Sequence, residues 1–174
     1  MRVAVVGLFV AFTGLFPFAT HAAEHVDVAL VLATDVSRSV DSDEFELQRK
    51  GYADAFSTPR VLDAIRSGPH QAIAVTLVEW SGPTEQKVVV DWSVIRDKAS
   101  GSAFAAALLE APRSFAAFTS ISAALLFAKV QLDRCPVEAE RHVIDVSGDG
   151  TNNSGPPITA ARDQVVAAGV TING

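Results

Sequence analysis

The sequence predicts an α/β fold: three layers, a doubly wound and mostly parallel sheet with one antiparallel edge strand. Three observations point there. Strand-like apolar runs alternate with helix-like segments along the whole chain. The first run, Val26–Thr34, is apolar on both faces, as in a central strand covered on either side by helices. One pair of strands is joined by a turn too short for a parallel crossover.

The elements follow in order. Val26–Thr34 ends in Asp35, Ser37 and Ser39, three oxygen-bearing side chains at alternate positions. Asp41 with Glu44 three residues on has the form of a capping box and starts a helix. Phe45, Tyr52 and Phe56 carry that helix until Pro59, and Val61, Leu62 and Ile65 suggest a short second one. Ala72–Trp80 and Gln86–Trp92 are β-rich runs flanking Ser81-Gly82-Pro83-Thr84, hence an antiparallel hairpin. Val94–Pro112 reads as loop then helix, and a further helix runs from about Ser120 to Leu132. Arg141–Ser147 is the fourth strand. A turn-rich loop, Gly148–Pro156, leads into a helix over 158–168 with Pro157 in its first turn and Gly169 beyond its end. Val170–Asn173 begins a fifth strand.

Composition limits the function. The chain has 174 residues, 49% hydrophobic and 20% charged, which suits one globular domain rather than a disordered chain. Met1-Arg2, the apolar run Val3–Phe18 and the small residues around Ala22-Ala23 read as a secretory signal peptide spanning 1–23. Cleavage there leaves 174 − 23 = 151 residues and moves the formal charge from −6 to −7. The expectation is an exported protein, periplasmic or extracellular, without a membrane span after cleavage. An acidic domain of this kind is a poor ligand for nucleic acid. Cys135 is the single cysteine, so no internal disulfide exists. It reads as a half-buried structural thiol.

Ligands of open α/β sheets bind outside the carboxyl ends of the strands. Strands one and four bring Asp35 and Asp149 to that edge. The third strand is antiparallel, so the next helix climbs back and its successor descends. The loop between them, Phe118-Thr119-Ser120, therefore reaches the Asp35 edge as well. The candidate site is Asp35, Ser37, Ser39, Thr119 and Asp149. All five offer hard oxygen donors, which suit Mg²⁺ first, then Mn²⁺ or Ca²⁺. Each residue also has an ordinary reading. Asp35 and Asp149 suit turns, Ser37 and Ser39 could cap the next helix, and Thr119 is placed as an N-cap. Five on three converging loops favour the metal.

Asp35-Val36-Ser37-Arg38-Ser39 resembles the D-x-S-x-S signature of von Willebrand factor A domains. Thr119, before Ser120-Ile121-Ser122-Ala123-Ala124-Leu125, is similar to that family's second-loop threonine, and Asp149-Gly150 to its third-loop aspartate. The resemblance covers about Val26 to Asn173, within a domain bounded as 24–174. It implies a metal-ion-dependent adhesion site: serines and threonine on the ion, aspartates direct or through water, and an acidic residue of a protein partner completing the shell. The implied function is a metal-dependent protein-binding module and not an enzyme. The run Val143–Gly150 further resembles a bacterial exported branch without settled function. Two departures stand out. Phe118 replaces the usual glycine, and the sixth strand and flanking helices expected after Gly174 are not in the sequence, as in a chain truncated at its C-terminus.

The alternative is a phosphohydrolase. Gly148-Asp149-Gly150-Thr151-Asn152-Asn153 is similar to the G-D-G-x-N-D loop of haloacid-dehalogenase-type enzymes, where Asp35 would be the nucleophile and Mg²⁺ the clamp. That family wants an aspartate two residues after the first, and this chain has Ser37. A Ser-His-Asp hydrolase is not indicated, because no G-x-S-x-G elbow exists. His70 and His142 read as surface or strand-end residues, and Trp80 and Trp92 as packing residues.

Overall fold

A strand buried on both faces organises the molecule. In the computed structural model, which describes residues 24–115 and 117–174, β1 (His25–Asp35) pairs in parallel with β2 (Ile73–Trp80) on one side and β4 (Glu138–Ser147) on the other. β3 (Gln86–Ile95) is antiparallel to β2, and β5 (Thr171–Asn173) is parallel to β4. The sheet order is β3-β2-β1-β4-β5. The fold is the predicted mostly parallel α/β sheet with one antiparallel edge strand. The signal-peptide reading of 1–23 lies outside the described residues.

Helices cover both faces. α1 (Ser42–Ser57), α2 (Pro59–Arg66) and α3 (Lys98–Glu110) pack on one side, where Phe56, Leu62, Phe104 and Leu108 meet Leu32, Val75 and Leu77 of the sheet. α4 (Ile121–Asp133) and α5 (Ile158–Ala167) cover the other, with Leu125, Ala128 and Val165 against Val31, Val78 and Ile144. Val31, Val75, Leu77, Val78 and Ile144 have no exposed surface, so both sides of the central strands are dry core. Burying each such side chain contributes roughly 1.5–3 kcal/mol.

Local signals place the helix ends. Asp41 and Glu44 form the predicted capping box: the Glu44 amide donates to Asp41 Oδ1 at 2.9 Å and the Asp41 amide to Glu44 Oε2 at 3.0 Å. Thr58 closes α1 and caps α2, with Pro59 in the first turn. Gly169, at φ +80°, follows α5 in the left-handed region that glycine tolerates.

Two strands are longer than their sequence pattern. β3 continues three residues past Trp92 to Ile95. Its ladder with β2 is irregular around Val75–Val78, and the Thr76 hydroxyl donates to Val90 O at 2.7 Å there. The irregularity breaks the inside–outside alternation by which a strand is recognised. β4 starts at Glu138, three residues before Arg141, because Glu138 and Ala139 pair with His25 and Val26. Among the described residues no helix is long and apolar enough to cross a membrane.

Candidate metal centre

The five predicted residues meet at the carboxyl edge of the sheet. Asp35 is the last residue of β1, level with Trp80 of β2. The chain then turns sharply, and the Ser37 amide donates to Asp35 Oδ1 at 2.7 Å. This turn brings Ser37 and Ser39 onto one side, their Oγ atoms 3.0 Å apart. Ser39 Oγ donates to Asp149 Oδ1 at 2.8 Å, which ties the first loop to the loop after β4. Thr119 Oγ1 donates to Ser37 Oγ at 3.3 Å, which brings in the α3–α4 loop. Three segments far apart in sequence thus place four oxygens in a chain of short contacts beside Asp35.

The local alternatives are decided by the caps. Asp41, not Ser37 or Ser39, caps α1. Ser120, not Thr119, caps α4, its hydroxyl accepting from the Ala123 amide. The Thr119 hydroxyl is therefore turned to Ser37, and Thr119 is 5% exposed.

Asp35 has no exposed surface, and its Oδ2 is buried without a hydrogen-bond partner. Such an oxygen is costly in isolation. Burial pushes the Asp35 carboxyl above its ordinary pKa; hydrogen bonds from Ser37 pull it down, the Asp149 charge raises it, and the Arg113 charge lowers it. A cation beside Oδ2 would satisfy it. Gly148 closes the wall here: a Cβ on it would lie 3.0 Å from Asp35 Oδ2 and 3.3 Å from the Trp80 ring. A cleft of about 280 Å³ opens beside the site, lined by Asp35, Glu44, Gln48, Ser147, Gly148 and Asp149.

Among the described residues no three His, Cys, Asp or Glu side chains gather around a point. A centre here would draw on hydroxyls and two carboxylates instead. The separations are those of hydrogen bonds, and they also match the edges of a small ion's shell. In an octahedron with bonds of 2.0–2.1 Å, adjacent oxygens are about 2.9 Å apart. The observed separations are 2.8, 3.0 and 3.3 Å.

Several supporting residues were not singled out from the sequence. Asn153 clasps Thr119 reciprocally: its Oδ1 accepts from the Thr119 amide at 3.1 Å, and its amide donates to Thr119 O at 3.0 Å. Asn152 Oδ1 accepts from the Ser122 amide at 3.0 Å and so holds the start of α4. Arg113 Nη2 donates to the carbonyls of Val36, Ser37 and Val40. Glu79, fully buried on β2, pairs with Arg49 of α1 and accepts from the Ser114 amide at 2.7 Å. The signals open to sequence reading were the tandem asparagines after Asp149 and a glutamate inside an otherwise apolar strand. Phe118, in the place of the expected glycine, is 64% exposed, with the Arg38 guanidinium 5.8 Å from its ring centre.

Cys135 is half-buried, and burial raises its thiol pKa. Asp145 lies on β4, and burial raises its carboxyl above the ordinary value. Trp80 is fully buried and packs within the core on the α4 side.

The sheet order, the antiparallel edge strand and the site at the carboxyl ends define a von Willebrand factor A-like α/β domain. Solved structures agree in fold. Proximal thread matrix protein 1 from the mussel byssus superposes with a TM-score of 0.65 at 16% identity, covering 87% of this chain and 38% of that one. The same protein "with zinc occupied MIDAS motif" gives 0.64 at 16% identity, with the same coverage of both chains. A von Willebrand factor type A protein from Catenulispora acidiphila gives 0.58 at 17% identity, covering 84% of this chain and 32% of that one. This chain thus spans well under half the length of these structures. The chain belongs to the family described as "Protein of unknown function (DUF1194)", whose model matches residues 25–174. No curated protein matches it.

Proposed function

We propose that the chain is an exported interaction module that binds a protein partner through a divalent cation, Mg²⁺ in the first place. Asp35, Ser37, Ser39, Thr119 and Asp149 would hold the ion. The observation that carries the reading is the cluster of Ser37, Ser39, Thr119 and Asp149 oxygens at octahedral-edge spacing beside a buried, unpartnered Asp35 oxygen. The ion would neutralise the paired Asp35 and Asp149 charges and leave a coordination position for an acidic side chain of the partner. Ser39 and Asp149 are the exposed members of the set, so the partner would approach over them.

Two further considerations support the reading. A mussel matrix protein of the same fold carries zinc at a MIDAS motif, and a pilus adhesin from Lactobacillus rhamnosus shares the fold with a TM-score of 0.53. Both are surface or matrix proteins by name, in keeping with the signal-like residues 1–23. The phosphohydrolase reading has less behind it, because Ser37 stands where its general acid, a second aspartate, would be.

The test is a titration of the purified domain with Mg²⁺ and Mn²⁺, followed by melting temperature. A ligand at 100 times its Kd stabilises by about 2.7 kcal/mol through linkage. Wild type should melt higher with metal than with chelator, and Asp35→Ala should show no difference. Identical responses would remove the metal from the proposal. A pull-down from the exported fraction with Mg²⁺ and with chelator then asks for the partner; capture that survives chelation would sink the metal-dependent mode.

A further inference from the structure

We propose that Arg113 is a positioning and selectivity residue for the cation: it locks three backbone carbonyls of the first loop and so keeps them out of the ion's coordination shell. This rests on the metal-centre reading above. Arg113 lies in the ten-residue stretch between α3 and α4, yet its side chain serves the loop after β1. Nη2 donates to Val36 O and Ser37 O at 2.9 Å each and to Val40 O at 2.8 Å. Nε donates to Phe115 O at 3.3 Å, anchoring the guanidinium to its own loop. The guanidinium stands 5.5 Å from the Phe45 ring centre, which fixes it from the α1 side.

The carbonyls concerned flank the ligands. Val36 and Ser37 are within two residues of Asp35, and Val40 follows Ser39. Backbone carbonyls are hard oxygen donors, and Ca²⁺ uses them to reach six to eight ligands at 2.3–2.6 Å. Mg²⁺ takes few protein oxygens, needs octahedral geometry and keeps several waters. With the Val36, Ser37 and Val40 carbonyls held on Arg113, and Ser37 O also taking the Val40 amide at 3.2 Å, those three are withheld from the ion, and the first loop's donors are chiefly the side chains of Asp35, Ser37 and Ser39. A donor set so limited favours the small ion. Hydrogen bonds from a charged donor to the backbone are among the stronger ones, so the carbonyls do not turn freely.

Arg113→Met removes the charge and every donor while keeping an unbranched stem. Arg113→Lys keeps one positive group with three donors on a shorter reach. The measurement is the binding of Mn²⁺ and of Ca²⁺ by calorimetry to wild type and both variants, with the melting temperature in chelator alongside. The expected result is a preference for Mn²⁺ in wild type that shrinks about tenfold in Arg113→Met, as for loss of one such interaction. Arg113→Lys should fall between. An unchanged Mn²⁺:Ca²⁺ ratio in Arg113→Met would overturn the inference. So would equal losses for both ions with equal falls in metal-free melting temperature in Met and Lys variants, because that pattern belongs to a residue that only supports the fold. Wild type that takes up neither ion would instead remove the metal-centre reading and the selectivity with it, so the two failures are told apart.

Discussion

The pair formed by Glu79 and Arg49 offers the sharpest test of how the site is held. Glu79 has no exposed surface, and Arg49 is 3% exposed. The two charges bridge β2 and α1, and the second Glu79 oxygen takes the Ser114 amide at 2.7 Å. Arg49 also donates to Leu108 O at 3.4 Å and stands 5.1 Å from the Phe45 ring centre. Glu79→Gln keeps the shape and an oxygen for Ser114 but removes the negative charge. A buried guanidinium without its counter-charge costs about 3–5 kcal/mol. At about 2–4 °C per kcal/mol for a domain of this size, the melting temperature should fall by roughly 6–20 °C.

Urea unfolding with an unchanged slope would report that loss as stability rather than a change in the unfolded state. Replacing both partners, Arg49→Met with Glu79→Leu, should recover most of it, because apolar replacement of a buried pair is often neutral or stabilising by about 1–4 kcal/mol. The double variant loses the Ser114 anchor, however. It should therefore bind Mn²⁺ more weakly than wild type while melting close to it. A Glu79→Gln variant within about 1 kcal/mol of wild type, or single and double variants that simply add, would refute the coupling argument.

Other outcomes are expected from the same geometry. Burial raises the Asp35 pKa above its usual 3.8, so the native state holds that proton to higher pH than the unfolded chain. Below 3.8 the group costs nothing; the cost grows as pH rises through the raised folded value. Asp35→Asn should therefore raise the metal-free melting temperature at pH 7 and abolish stabilisation by Mn²⁺, and wild-type Mn²⁺ affinity should fall as pH falls; a destabilised metal-free Asp35→Asn would contradict this. Asn153→Ala leaves the Thr119 amide without its partner and should cost about 1 kcal/mol in urea unfolding, with faster hydrogen exchange at Thr119. Gly148→Ala places a Cβ 3.0 Å from Asp35 Oδ2 and 3.3 Å from Trp80. It should cost about 1–3 kcal/mol by overpacking and weaken Mn²⁺ binding in calorimetry; wild-type affinity would show that the wall yields.

What could be read from the sequence depended on whether a residue's role leaves a mark on its own neighbourhood. β1 is legible because burial on both faces demands an unbroken apolar run, and Asp35 because a charge ends that run. Thr119 is legible only through topology: an antiparallel third strand reverses the helices that follow, which carries the α3–α4 loop to the edge where β1 ends. The extra residues of β3 and β4 were hidden, one behind an irregular ladder and the other behind the charged stretch Glu138–Arg141. Arg113 left no mark at all. Its acceptors are main-chain carbonyls, which every residue carries, so nothing at Val36, Ser37 or Val40 announces a partner more than 70 residues away. Glu79 gave a partial sign, since a carboxylate inside Ile73–Trp80 must find a counter-charge. The sign did not say that the answer was Arg49, because Arg49 is placed by the packing of α1 on α3, where Phe56 meets Phe104. The donors of the candidate centre are thus readable one by one. The brackets that set their spacing, Arg113, Asn153 and Glu79, exist only as contacts between segments distant in sequence, and they decide how closely the three loops approach one another.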